Sequence, residues 1–233
     1  AYEIGLGIPA EPLFRSPARQ TVHVAELINA FHYAWPEAAP GEAFSTVLEE
    51  TAAPWATEHR LVRVGLRGVG SGGSEVAREA HVRVDFNPTQ VRAWRLVGFE
   101  RDGDALGIAT NDPGETLRAG ETVTALYEIL PEPTAHEATD RTMMTVALEY
   151  RDPATGELRT LSRSLESRGG SFAQASPDMK FIVGVAAFGL RLRGSDLQAS
   201  MDVEEMARWA EAGVANDAQR REFVGLMRGA ARR

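Results

Sequence analysis

At 233 residues the chain can bury a substantial core as one large domain or two small ones. A formal charge of -8 with no basic stripe excludes a phosphate-tracking surface, so nucleic acid is not an expected partner. The lack of cysteine excludes disulfides and thiolate metal sites, and no apolar run reaches the roughly 18 to 20 residues that a membrane-spanning helix needs.

Residues 1–20, rich in Pro and Gly, read as an extended arm without the cationic and apolar regions of a signal peptide. In TVHVAELINAFHYAWP, Val24, Leu27, Ile28 and Phe31 fall at i, i+3, i+4 and i+7, which predicts a short amphipathic helix ended by Pro36. Residues 21–67 then form a first segment of that helix plus two strands, AFSTVLEETA and HRLVRVGLRG. In the second strand Leu61, Val64 and Leu66 alternate with Arg63 and Arg67, as on a half-buried strand.

Residues 68–75 hold the Gly/Ser stretch Gly68, Gly70, Ser71, Gly72, Gly73 and Ser74. Gly68, Gly70 and Gly73 are spaced as in a dinucleotide fingerprint, whose glycines let the pyrophosphate approach the backbone ahead of a helix N-terminus. Only SEVAREA, about two turns, separates them from the next strand. A βαβ crossover needs at least ~10 to 12 residues, so the spacing argues against a nucleotide site.

Residues 76–170 continue the alternation in HVRVDF, VRAWRLVGFE, ETVTALYEIL, TMMTVALEYRD and ELRTLSRSLE, and this region is expected to pair with residues 43–67. Residues 171–233 read as three helices. The first has Ser176 as N-cap, Pro177 at N1, apolar residues almost all round and Gly194 as its stop. Asp202 opens the second, and Phe223, Val224 and Met227 mark the third. The fold class predicted is α+β: a mainly antiparallel β-sandwich-like domain with a short N-terminal helix and a three-helix tail.

No catalytic or metal-ligating motif emerges. No serine sits in G-x-S-x-G, and the five histidines (23, 32, 59, 81 and 136) make no H-E-x-x-H. His59 and His81 could approach across a strand pair, although a surface role is the simpler reading. Glu49-Glu50 and Glu204-Glu205 read as solvated faces, since strand neighbours point to opposite faces. Asp102, Asp104, Asn111 and Asp112 read as turn chemistry, and Lys180, the only lysine, as a surface cation. Trp35 and Trp55 are candidate stacking residues for a sugar or peptide, with core packing as the alternative use for them and for Trp94 and Trp209.

RQTVHVAELINAFHYAWP followed by APWATEHRLVRVGLRG resembles the N-terminal region of bacterial von Willebrand factor type A domain-containing proteins of the predicted-lipoprotein kind. VAREAHVRVDFNPTQVRAWRLVGFE, ETVTALYEILP and MKFIVGVAAFGLRLRGS resemble the region that follows the A domain in the same proteins. The D-x-S-x-S of a metal-ion-dependent adhesion site occurs nowhere, and GVGSGGSE is far shorter than a domain of even ~50 residues.

The resemblance implies that the A domain is absent here, its ends joined by an engineered or natural Gly/Ser linker. On that view the HRLVRVGL and HVRVDF strands end near each other, as neighbours in one sheet, with loose chain between them. It further implies a non-catalytic scaffold that carries and positions the A domain at the cell envelope or within an assembly, a protein partner and no cofactor, a Mg2+ site belonging to the A domain. The alternatives are an independent carbohydrate- or peptide-binding β-sandwich and, third, a hydrolase built on two carboxylates ~5 to 9.5 Å apart.

Overall fold

The computed structural model describes residues 22–98, 114–135, 139–194 and 201–231. It divides into two compact units, one of residues 1–31 and 176–233 and one of residues 32–175. The arm at 1–20, the Asp102–Asp112 turn and His136 lie outside the described residues.

The second unit is an antiparallel sandwich of two four-stranded sheets. Its strands are β1 (Phe44–Ala52), β2 (Arg60–Gly68), β3 (Glu75–Phe86), β4 (Val91–Leu96), β5 (Glu115–Arg118), β6 (Thr122–Pro131), β7 (Thr142–Arg151) and β8 (Leu158–Glu166). One sheet runs β1-β2-β6-β4 and the other β5-β3-β7-β8. The α+β class and the sandwich are as the alternation predicts. Val62, Val64, Tyr127 and Ile129 of the first sheet pack with Met144 and Val146 of the second, because alternate side chains along each strand face the interior. Phe44 meets Tyr150 edge-on at 5.2 Å in a smaller cluster with Ala77 and Leu148.

Four expectations are corrected. First, β2 and β3 are not neighbours in one sheet; the chain crosses from one sheet to the other between them. SEVAREA is no helical turn: from Glu75 on it is the first half of β3, where β-branched Val76 and pairing with β5 and β7 override its helix formers. A bulge at Glu79, which takes a positive φ of 50°, shifts the register there.

Second, β2 is buried on both faces from Leu61 to Leu66. Arg63, expected in solvent, is buried under aromatic rings, with its guanidinium 4.9 Å from the Tyr33 centroid and 5.7 Å from that of Trp35. Gly65 admits this cover, since a Cβ there would stand 3.0 Å from the Trp35 indole.

Third, α1 (Val24–Asn29) stops well before Pro36. Tyr33 and Trp35 must lie on one side of an extended segment to reach Arg63, and the residue before a proline disfavours helix in any case. Fourth, Glu50 is not solvated. Arg60 Nε pairs with its carboxylate, which also accepts from Ser167 Oγ (3.2 Å) and the Arg168 backbone N–H (3.0 Å).

The first unit holds α1 with α2 (Pro177–Arg193), α3 (Val203–Glu211) and α4 (Ala218–Ala231). Ser176 Oγ caps α2 by accepting from the Met179 N–H, and Gly194 closes it at φ 83°. Residues 181–190 of α2 are all buried, as their all-round apolar character requires. Close approach of α2 to α3 depends on Gly184, where a Cβ would stand 2.6 Å from the Ala210 backbone nitrogen. Phe31, just past α1, meets Phe181 edge-on at 4.7 Å and Phe223 at 5.2 Å.

Candidate functional site

Gly68 ends β2, and residues 69–74 turn the chain into β3. Composition predicts loose chain here, yet both ends are tied down. The Gly68 N–H donates to the Glu121 carbonyl (3.0 Å), Val69 N–H to Ala43 (2.8 Å), and in return Gly120 N–H donates to Gly68 (2.9 Å) and Ala119 N–H to Ser74 (2.8 Å). The turn at 118–121 thus serves as the anchor for both ends. Gly68 must be glycine, because a Cβ would collide with the Arg118 carbonyl oxygen and stand 3.0 Å from Val76 Cγ2. The end of β2 therefore lies near the start of β3. Between them Gly70, Ser71, Gly72, Gly73 and Ser74 are exposed, with φ of 66° and 68° at Gly72 and Gly73. No helix follows, so the glycines do not form a phosphate site of the dinucleotide type.

Trp35 and Trp55 do not make a shared stacking platform. Trp35 covers Gly65 and Arg63, while Trp55 donates its indole N–H to Glu128 Oε1 at 3.0 Å. Trp94 instead lies in β4, stacked on Phe86 at 5.0 Å with its edge toward Tyr127. Trp209 lies on α3. His59 and His81 are in different sheets' surroundings, the first beside Glu128 and the second in β3 opposite Glu149.

The buried carboxylate of Glu128 is the feature that sequence reasoning missed. It sits in β6 at 2 % side-chain exposure, opposite Leu61 of β2 and Arg95 of β4. Oε1 accepts from Trp55 and from His59 Nδ1 (2.7 Å), and Oε2 accepts from Arg95 Nε (2.9 Å). Burial pushes its pKa up, but the Trp55 bond, the Arg95 guanidinium and the His59 bond outweigh it and hold the carboxyl below its ordinary range. An ionised carboxylate only accepts hydrogen bonds, so the His59 proton facing it is on Nδ1.

Glu128 is therefore a clamp that fastens the β1–β2 loop and β4 onto the sheet, and its saturated, acidified carboxyl is unsuited to donate a proton. On the opposite face of β6, burial alone raises the Tyr127 phenol to about 12. Among the described residues no group of three His, Asp or Glu side chains could hold a metal ion, and no helix is long and apolar enough to cross a membrane.

The two-sheet sandwich, its tied inter-sheet turn and its self-satisfied buried charge define a β-sandwich module accompanied by a helical unit. The chain belongs to the family described as "Uncharacterized protein YfbK, C-terminal", whose model matches residues 74–232. A model described as "von Willebrand factor" matches residues 14–63.

The chain is 24% identical over 171 residues to the "Uncharacterized protein YfbK" of Escherichia coli (strain K12), covering 65% of this chain and 29% of that protein. It therefore spans less than a third of the length of that relative. Among solved structures, the yeast GGA1_GAE domain-P21 aligns at 8% identity and TM-score 0.35, over 55% of this chain and 95% of that one. A FixG-related protein from Vibrio parahaemolyticus aligns at 8% identity and TM-score 0.25, over 55% of this chain and 98% of that one. The descriptions of the two matching families name no catalytic activity.

Proposed function

We propose that this chain is a non-catalytic scaffold that carries and positions a von Willebrand A domain at the 69–74 turn, for protein binding at the cell envelope. One observation carries this reading. The von Willebrand match ends at residue 63 and the YfbK match begins at residue 74, on either side of a turn whose two ends are both hydrogen-bonded to residues 119–121. A domain whose own termini lie close together can enter at such a point without parting the strands. Residues 64–68 complete β2 on the near side of the turn, so each match supplies strands to the sandwich and neither is a free-standing tail.

In this reading Mg2+ and ligand chemistry belong to the A domain, and the present chain supplies no cofactor site. The saturated state of Glu128 supports a structural rather than a catalytic part for the most buried acid of the sandwich. The test joins an A domain between Gly70 and Gly73 and follows backbone amide exchange in β2, β3 and β6. Protection retained in all three strands, with metal-dependent ligand capture gained, is the expected result. Collapse of that protection, or full partner capture by the present chain without an A domain, would overturn the reading.

A further inference from the structure

The edge of a sheet presents unpaired main chain, and three of the four edges of this sandwich are blunted. β5 has four residues and two breaks in register, β4 has six and one break, and β1 gives its Ala52 N–H to the Gly170 carbonyl (3.1 Å). β8 is different. Its nine residues, LRTLSRSLE, hold no proline, glycine or lysine, and they pair with β7 along their whole length.

The Asp152 N–H donates to the Glu157 carbonyl (2.8 Å), so the odd-numbered residues of β8 turn their main chain toward β7. Leu158, Thr160, Ser162, Ser164 and Glu166 therefore turn theirs outward, and all five are exposed. Among the described residues their main-chain N–H groups meet no acceptor. The one outward carbonyl in use is that of Ser162, which accepts from Arg163 Nη1 of its own strand at 2.9 Å.

We infer that β8 pairs antiparallel with β8 of a second copy about a two-fold axis at Ser162, joining two four-stranded sheets into one continuous sheet. The strand's own sequence selects this occupant and this register. Outward residues must meet outward residues to exchange hydrogen bonds, which allows an axis at Ser162 or one residue to either side. With the axis at Ser162 the whole strand pairs: Thr160 faces Ser164, Arg159 faces Leu165, Leu161 faces Arg163 and Leu158 faces Glu166. Every charge then lies opposite an uncharged side chain. An axis at Leu161 would set Arg159 against Arg163, and an axis at Arg163 would set that arginine against itself, and like charges directly opposite oppose pairing.

The inward row adds apolar contact across the same seam. Leu161 stands diagonal to both Leu161 and Leu165 of the second copy, a spacing that long side chains bridge. Arg163 is likewise diagonal to its own copy, but its guanidinium is already paired with Glu42 in the same chain. The seam involves neither β2 nor β3, so it and the insertion reading stand or fall separately.

Sedimentation equilibrium of the full chain, from micromolar to millimolar concentration, is expected to show a reversible monomer–dimer equilibrium. Ser162→Pro removes an outward donor and spares the β7 ladder, so it should weaken the dimer roughly 10-fold or more while keeping the thermal transition. T160K/S164K sets lysine against lysine across the axis and should abolish the dimer. T160E/S164K sets glutamate against lysine in the same register and should restore it, and this pair of variants decides the matter even if Ser162→Pro does not fold. A chain that stays monomeric at millimolar concentration would overturn the inference. So would a dimer that T160K/S164K leaves unchanged or that T160E/S164K does not restore, since its interface would then lie elsewhere.

Discussion

Each unit of the molecule buries a hydrogen-bonded charge where separate segments meet, Glu128 in the sandwich and Arg220 in the helical unit, and the two solve the problem differently. In the sandwich, Glu128 is the buried member, but its partners His59 and Arg95 remain 36% and 39% exposed. In the helical unit, Arg220 of α4 is itself buried. It donates to Asp178 at the start of α2 (2.7 Å) and to the Gly213 carbonyl (2.8 Å), and lies 4.8 Å over the Phe181 ring. The Glu128 clamp is open on its donor side, whereas Arg220 and the Asp178 it donates to are only 6% and 13% exposed. Partners left behind at the first site rehydrate more readily than Asp178 and the Gly213 carbonyl at the second, so equal truncations should have unequal costs.

The largest effect is therefore expected from Arg220→Ala, which strands Asp178 and the Gly213 carbonyl and removes the packing on Phe181. Denaturant unfolding of the helical unit should show a loss of about 3–5 kcal/mol. Glu128→Ala should cost about 2–3 kcal/mol in the sandwich, because two of its three donors turn to water. Equal losses at the two sites would break the distinction between open and closed clamps.

Acidity gives the next test. The folded pKa of Glu128 lies below its unfolded value, so its stabilisation is fully present above the ordinary carboxylate range and is lost as pH falls through the depressed folded value. The stability gap between wild type and Glu128→Gln should narrow when unfolding is followed from pH 6 down through pH 4. Tyr127 has the opposite sign, with a folded pKa of about 12 against an ordinary 10. Its contribution holds below pH 10 and fades between 10 and 12, and Tyr127→Phe should flatten that alkaline loss. The smallest change expected is Trp55→Phe, which trims the indole to a phenyl and removes the N–H donated to Glu128, at about 0.5–1.5 kcal/mol by the same unfolding curves.

The sandwich was legible because most of its strands bury one face, so the period of two survives in the sequence. β2 and β6 conceal more. Arg63 within Leu-Val-Arg-Val and Glu128 within Leu-Tyr-Glu-Ile-Leu look like the solvent positions of half-buried strands, when both faces are in fact covered. A lone charge inside an otherwise continuous apolar run was the available signal for each. Their partners could not be read, since Trp55 and His59 come from a loop far along the chain and only the β2–β6 register brings them to Glu128. The same non-local pairing explains why β2 and β3 looked like natural neighbours and are not. The short β5 escaped because four residues carry too little alternation.

The pairing of Leu66 with Val123 also governs how the chain finds its fold. β1–β2 and β7–β8 are hairpins that can form locally, but β2 must wait for β6 while the whole of β3, β4 and β5 hangs between them as an unclosed loop. Closing that loop is the slow, entropic step. Its cost grows only with the logarithm of loop length, about 0.6 kcal/mol per doubling. Lengthening the connection at residues 69–74 should therefore slow assembly of the first sheet modestly and leave the rate at which it comes apart almost untouched.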